Sequence, residues 1–358
     1  MKKLNLTRRE ALLALGSMGA ASLLAACGGK QDQPAADAPA EEAAATAAED
    51  VVVRVASLKG PTTIGLVQMM DATSGIPTEQ TEAPAAEAGS GITYHYTVSA
   101  APEEILPLVI QGKVDIACVP SNVASVLYNK TEGKVRAIDL NTLGVLSVVT
   151  GDASVQEFAD LAGKTIYISG KGASPEYVLN FLLGAAGIAD SVTVEWKSEH
   201  AEVAAVLAND PAAVGVLPQP FTTATLAKNE ALSAPIDLTQ VWNEVVKDGS
   251  QFVMGVTIAN ADFVAAHPQA VADFLERHAA SVEAVNADPQ AAAPLVVKAG
   301  IIEKEPLAAK AIPACNVVCI TGEEMREGLS GYLQVLFDAD PSSVGGALPG
   351  DDFYFIAE

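Results

Sequence analysis

Residues 163–179 read GKTIYISGKGASPEYVL, and this stretch sets the fold class. Lys164–Ser169 is dense in β-branched and aromatic residues, which predicts a strand. The run breaks at Gly170-Lys171-Gly172-Ala173, after which a helix is expected to begin. Ser174 is placed as its cap, Pro175 at the first helical position, and Glu176 in the first turn, where a carboxylate meets the positive end of the helix dipole. Val178, Phe181, Leu182 and Ala185 form the stripe to be buried, which leaves Tyr177 off it and free to face a cleft. A helix that starts at a strand's carboxyl end points free N–H groups at whatever lies above the strand. Ligands of open α/β sheets bind there.

The same device occurs three more times. Val51–Leu58 (VVVRVASL) runs into Lys59-Gly60-Pro61-Thr62-Thr63 and then an apolar-striped helix. Val114–Val119 (VDIACV) ends in Pro120-Ser121-Asn122, with Ser121 or Asn122 expected to cap the helix that follows. Ala213–Leu217 (AVGVL) ends in Pro218-Gln219-Pro220-Phe221 before a Thr-rich helix. Between these lie two further strands, Ile92–Val98 and Val192–Trp196, a helix containing Pro107, and a surface loop over Thr73–Gly91. Strands alternating with helices predict an α/β protein built on mostly parallel sheets flanked by helices. After a strand at Phe252–Ala259, helices dominate. Val271, Phe274, Leu275, His278, Val282 and Val285 form one stripe, and Met325, Leu329, Tyr332, Leu333 and Leu336 another. The length of 358 residues exceeds what one core usually serves, so two lobes are expected. Residues 51–147 with 255–358 are assigned to lobe one and 148–254 to lobe two, the chain crossing twice between them.

Lys plus Arg number 21 against 44 Asp plus Glu, a net charge of −23. Such an acidic chain is a poor candidate for gripping nucleic acid or an anionic lipid surface by its overall field. Half of the residues are apolar, which argues against wholesale disorder. The front of the chain is a separate object. Residues 1–26 carry Lys2, Lys3, Arg8 and Arg9, then an apolar stretch from Ala11 to Ala26, the pattern of an export signal. That stretch is shorter than the roughly 20 residues a spanning helix needs. Leu24-Ala25-Ala26-Cys27 has the form of a lipobox, so Cys27 is expected to carry a lipid that holds the protein on the outer face of the cell membrane. Arg8-Arg9 leaves export by a twin-arginine or a general secretory route open. Residues 27–50 lack any large apolar side chain and are expected to form a solvated acidic tether.

A lipobox, an acidic tether, and strands followed in order by LKGPTT, VDIACVPSNVASVLYNK, GKTIYISGKGASPEYVL and LPQPF resemble the substrate-binding lipoproteins of ABC importers, in their nitrate, sulfonate and thiamine-precursor branch. The closing GLSGYLQVLFDADPSSVGGALPGDDFYF is similar to that branch's C-terminal end. The resemblance implies a type II periplasmic-binding-protein fold, two lobes that close over one small molecule, and delivery to a permease with its ATPase. Carried onto this sequence, it places ligand contacts on Lys59, Gly60, Pro61, Thr62 and Thr63, on Ser121 and Asn122, on Gly172, Ala173, Ser174 and Tyr177, and on Gln219, Pro220 and Phe221. Gln219 stands where the family more often has an acid. For Ser121 and Ser174, helix capping and ligand binding are equally open readings, and Asn122 is better suited to recognition. Trp196 and Trp242 read as structural or rim residues.

No Arg accompanies any of the four motifs, and a strongly charged dianion normally recruits guanidinium. A neutral, zwitterionic or cationic heterocycle such as a vitamin precursor is therefore expected over sulfonate or nitrate. The competing readings are an enzyme like the thiamine-pyrimidine synthases of the same fold and a tethered solute sensor. No Ser/His/Asp set, metal cluster or phosphate loop is legible, so neither catalysis nor a cofactor is expected. Of the scattered histidines, His200 reads as surface, His267 as a helix boundary and His278 as a core neighbour, while His95 is placed as the one facing the cleft. Cys118, Cys315 and Cys319 are an odd number in an exported chain. The last two read as a strained bridge or as two packed thiols, and no metal site is expected because no histidine lies near that pair in the sequence.

Overall fold

The structure, a computed structural model, describes residues 50–78, 81–248 and 250–357. The expected export signal, the lipobox with Cys27 and the tether up to residue 49 lie outside the described residues. Asp50, the last residue assigned to the tether, is fixed: its carboxylate accepts the N–H groups of Gly89 and Gly91 at 2.8 and 2.9 Å.

Among the described residues, eleven strands form two sheets. The first contains β1 (Val51–Leu58), β2 (Ile92–Ser99), β3 (Ile116–Pro120), β4 (Val135–Leu143), β10 (Val253–Asn260) and β11 (Val317–Ile320), in the order β11-β4-β10-β3-β1-β2. The second contains β5 (Leu146–Thr150), β6 (Thr165–Ser169), β7 (Thr193–Lys197), β8 (Val214–Pro218) and β9 (Ser233–Asp237), in the order β7-β6-β8-β5-β9. The parallel pairing expected from the alternation is confined to β2-β1-β3 and β7-β6-β8. Around β4, β5 and β10 the pairing is antiparallel, so each sheet is mixed. β5 and β10, each antiparallel to both of its neighbours, are the strands by which the chain changes sheet.

Three layers of apolar side chains hold these sheets. One core fills the space between them and includes Leu140, Val253, Val148, Ile166, Trp242 and Tyr332. A second lies on the far face of the first sheet under the helix Pro268–Ala287. A smaller third lies on the far face of the second sheet under the helix His200–Asn209. Among the described residues no helix is long and apolar enough to cross a membrane.

The chain leaves the first sheet at Leu143 and enters the second at Leu146, and it returns between Val245 and Val253. The two passages touch. A Cβ added at Gly144 would lie 2.6 Å from Phe252 Cδ1 of the return passage and would also collide with Thr239 Oγ1. Overpacking at a site walled by two elements costs about 1–3 kcal/mol. Gly144→Ala is accordingly expected to lower the unfolding free energy by that amount in urea titration; an unchanged midpoint and slope would show that the passages are free to part.

Candidate functional site

Three of the four expected motifs are brought together at the carboxyl ends of strands, and hydrogen bonds join the second to the third. Ser121 starts the helix Ser121–Lys130 beyond β3, and Ser174 starts the helix Ser174–Ala185 beyond β6. Neither acts as a cap. Their helices are capped at Pro120 and Ala173 with no side-chain hydrogen bond, so both hydroxyls are released for contacts across the molecule. Ser121 Oγ donates to the Val253 carbonyl at 2.6 Å and lies 3.1 Å from Ser174 Oγ. Ser174 Oγ donates to Asn122 Oδ1 at 3.1 Å. Asn122 Nδ2 reaches the carbonyl of Ser343 at 3.1 Å and that of Gly172 at 3.4 Å. Ser121, Ser174 and Asn122 are all buried.

The first motif stands beside this set. Gly60, at φ +149°, turns the chain into Pro61. Thr62 packs toward Gly255 of β10, where an added Cβ would come within 3.0 Å of its methyl, and Gly255 pairs with Pro120. Thr62 Oγ1 donates to the Leu58 carbonyl at 3.0 Å, while Thr63 Oγ1 is buried 2.8 Å from Ser57 Oγ. Lys59 is exposed, and its main chain is tied to Ser99. In the third motif the Gly172 N–H is held by Glu176 Oε2 at 2.6 Å. Tyr177 is partly buried and borders Ser342 and Asp340, and burial raises its pKa.

The fourth motif joins from the side of the second sheet. Gln219 Oε1 accepts from the N–H and hydroxyl of Thr223, and Pro220, preceded by a cis peptide, leads into the helix Phe221–Lys228. That helix packs against Glu305–Ala311, a helix that belongs with the first sheet's core. The ring of Phe221 lies 5.0 Å from that of His200, whose Nδ1 is 2.5 Å from Ser169 Oγ at the end of β6. Burial lowers the His200 pKa to about 4, so the ring is neutral at pH 7.

Two residues of this region escaped the sequence. His200 was expected on the surface and is instead partly buried at the strand ends; an aromatic neighbour twenty-one residues away gives no local signal. Tyr332, expected only as core, is buried with its hydroxyl against Ser121 and Ser174 but without an aligned partner among the described residues, and burial pushes its pKa up to about 12. His95, expected to face the cleft, instead bonds Thr81 of the 73–91 loop at 3.1 Å. Trp242 takes its structural role: it is buried, and its Nε1 donates to the Ser250 carbonyl at 2.8 Å.

Cys118, Cys315 and Cys319 are free thiols, so the pair expected either as a bridge or as packed thiols is the latter. Burial pushes Cys118 and Cys315 up to about 12. The expectation that no histidine lies near the pair is corrected for Cys319. A ring nitrogen of His278, from a helix that is distant in sequence, lies within 4.8 Å of its Sγ.

No curated protein matches the chain. Among solved structures, an ABC transporter protein from Parabacteroides distasonis is similar over 86% of this chain and 100% of its own, at 20% identity and a TM-score of 0.70. The periplasmic aliphatic sulphonate binding protein SsuA from Escherichia coli is similar over 86% of this chain and 94% of its own, at 11% identity and a TM-score of 0.64. The Candida albicans CA3427 gene product, described as exhibiting the generic periplasmic binding protein fold, is similar over 85% and 93%, at 14% identity and a TM-score of 0.52. At these identities the likeness shows the fold, which is that of periplasmic binding proteins. A family model described as NMT1/THI5 like matches residues 88–292, more than half of the sequence, and the chain belongs to that family.

Proposed function

We propose that the protein is an extracytoplasmic solute-binding lipoprotein, held by lipid on Cys27, that takes a small organic molecule between its two sheets and hands it to an ABC import permease. The observation that carries this reading is the meeting of Ser121 and Asn122, from the first sheet, with Gly172 and Ser174, from the second. Polar groups converging from two lobes are what a trap needs and a rigid structural protein does not. The lobes proposed are residues 51–147 with 255–358 and residues 148–254.

The ligand class follows from charge. The groups around the set are hydroxyls, a carboxamide, a phenol and a neutral imidazole, and the lysines of the motifs, Lys59 and Lys171, are exposed. A flat neutral, zwitterionic or cationic heterocycle stacked on Phe221 or Tyr177 suits these groups better than a sulfonate or nitrate. A thermal-shift panel containing thiamine, its pyrimidine, taurine and other sulfonates tests this. A true ligand at a hundred times its dissociation constant adds about 2.7 kcal/mol of stability. Ser174→Ala is expected to weaken binding of that ligand about 10-fold, the loss of one buried hydrogen bond. A melt shifted by sulfonates alone would reject the ligand class, and unchanged affinity in both Ser174→Ala and Tyr177→Ala would reject the site.

A further inference from the structure

A row of polar side chains crosses the far face of the first sheet, inside an otherwise apolar layer. Cys118 of β3 pairs in register with Thr257 of β10, and Thr257 with Asp139 of β4. Cys319 of β11 lies beyond Asp139 in the strand order. Over this row lies His278, from the helix Pro268–Ala287. Asp139, Thr257, Cys118 and His278 are fully buried, and Cys319 is partly exposed.

The contacts within the row are directional. Asp139 Oδ1 accepts from Thr257 Oγ1 at 2.7 Å, and Thr257 Oγ1 is in turn held by Asn141 Nδ2 at 3.0 Å. Asp139 Oδ2 faces His278 Nδ1 at 3.0 Å. Nε2 of the same ring is buried with no hydrogen-bond partner among the described residues. An unpaired buried ring nitrogen is costly, and a polar row in a packed apolar layer is costly again. One oxygen of Asp139, one ring nitrogen of His278 and Sγ of Cys319 all lie within 4.8 Å of one another.

We propose that Asp139, His278 and Cys319 form a site for a thiophilic divalent cation of the zinc class, separate from the ligand region between the sheets. Each part of the set has a role. A thiolate, an imidazole and a carboxylate are the donors that zinc takes, and the two anionic donors neutralise the ion in a buried place. The Asn141-Thr257-Asp139 chain fixes the carboxylate's orientation, as outer hydrogen bonds do around metal ligands. Cys319, the partly exposed member, provides the entry. On loading, the Cys319 thiol releases its proton to solvent, and sulfur, nitrogen and oxygen coordinate the ion without any change of oxidation state.

The test uses the full chain, purified with chelator, dialysed, and titrated with zinc alone and then with cobalt alone. One tightly held zinc per chain is expected, together with a thiolate-to-cobalt charge-transfer band. Cys319→Ser is expected to abolish that band and to weaken zinc at least about 10-fold, since even the loss of an outer partner costs that much. His278→Gln is expected to do the same to zinc affinity. Because Cys319 is partly exposed, its variant is the one expected to keep the native circular dichroism. No stoichiometric zinc on the wild-type chain, cobalt bound without the thiolate band, or zinc affinity unchanged in Cys319→Ser would each overturn the proposal. The last two would assign the ion to the acidic surface.

Discussion

Trp242→Ala will lower the unfolding free energy by about 3–5 kcal/mol, the cost of truncating a large buried aromatic. The size of the effect comes from where the ring sits. It lies on the helix Leu238–Val245, just before the chain returns to the first sheet. Its neighbours are Phe181 of the helix Ser174–Ala185, Phe252 of the return passage and Tyr332 of the helix Gly322–Ala339, all with ring centres 5.4 Å from its own. Removing it opens a void where three elements meet, and its N–H contact to the Ser250 carbonyl is lost as well. Denaturant titration followed by circular dichroism measures this. A change below about 1 kcal/mol would mean that the aromatic group can collapse around the gap, contrary to the packing described.

The second large effect is on acid stability and belongs to His200. Its pKa falls from the ordinary 6.5 to about 4 because burial penalises the charged ring. Below pH 6.5 the unfolded chain takes up a proton that the folded chain refuses, so stability is full above that value and declines as the pH falls, levelling near pH 4. The loss approaches about 3 kcal/mol over the window. His200→Gln keeps a polar group against Ser169 and removes the titration, so its stability is expected to decline less steeply between those two pH values. Identical slopes for variant and parent would show that other groups carry the acid response.

The strands legible in the sequence were runs dense in β-branched and aromatic residues, whether they end at a Gly or Pro turn, as Val51–Leu58 does, or not, as with Ile92–Ser99. The strands that escaped have physical reasons. β4 carries Asp139, Asn141 and Thr142, which read as a break in an apolar run although all three are buried and bonded. β9 contains Pro235 and is largely exposed, and β11 is only four residues long. The site divides in the same way. The positions of Ser121, Asn122 and Ser174 at helix starts follow from local pattern, and their partners do not. Ser121 meets a carbonyl 132 residues away and Asn122 one 221 residues away, separations at which local pattern carries no signal. His200 and Tyr332 were missed for the same reason.

One of those distant contacts bears on the order in which this part of the fold is completed. The carboxamide of Asn122 is fixed by the Ser343 carbonyl, and Ser125 and Asn129 on the same helix bond the Val344 carbonyl. These anchors lie 221, 219 and 215 residues along the chain from the side chains they hold. A chain made from its amino terminus therefore has Asn122 and its contacts with Gly172 and Ser174 well before the carbonyl of Ser343 that completes them.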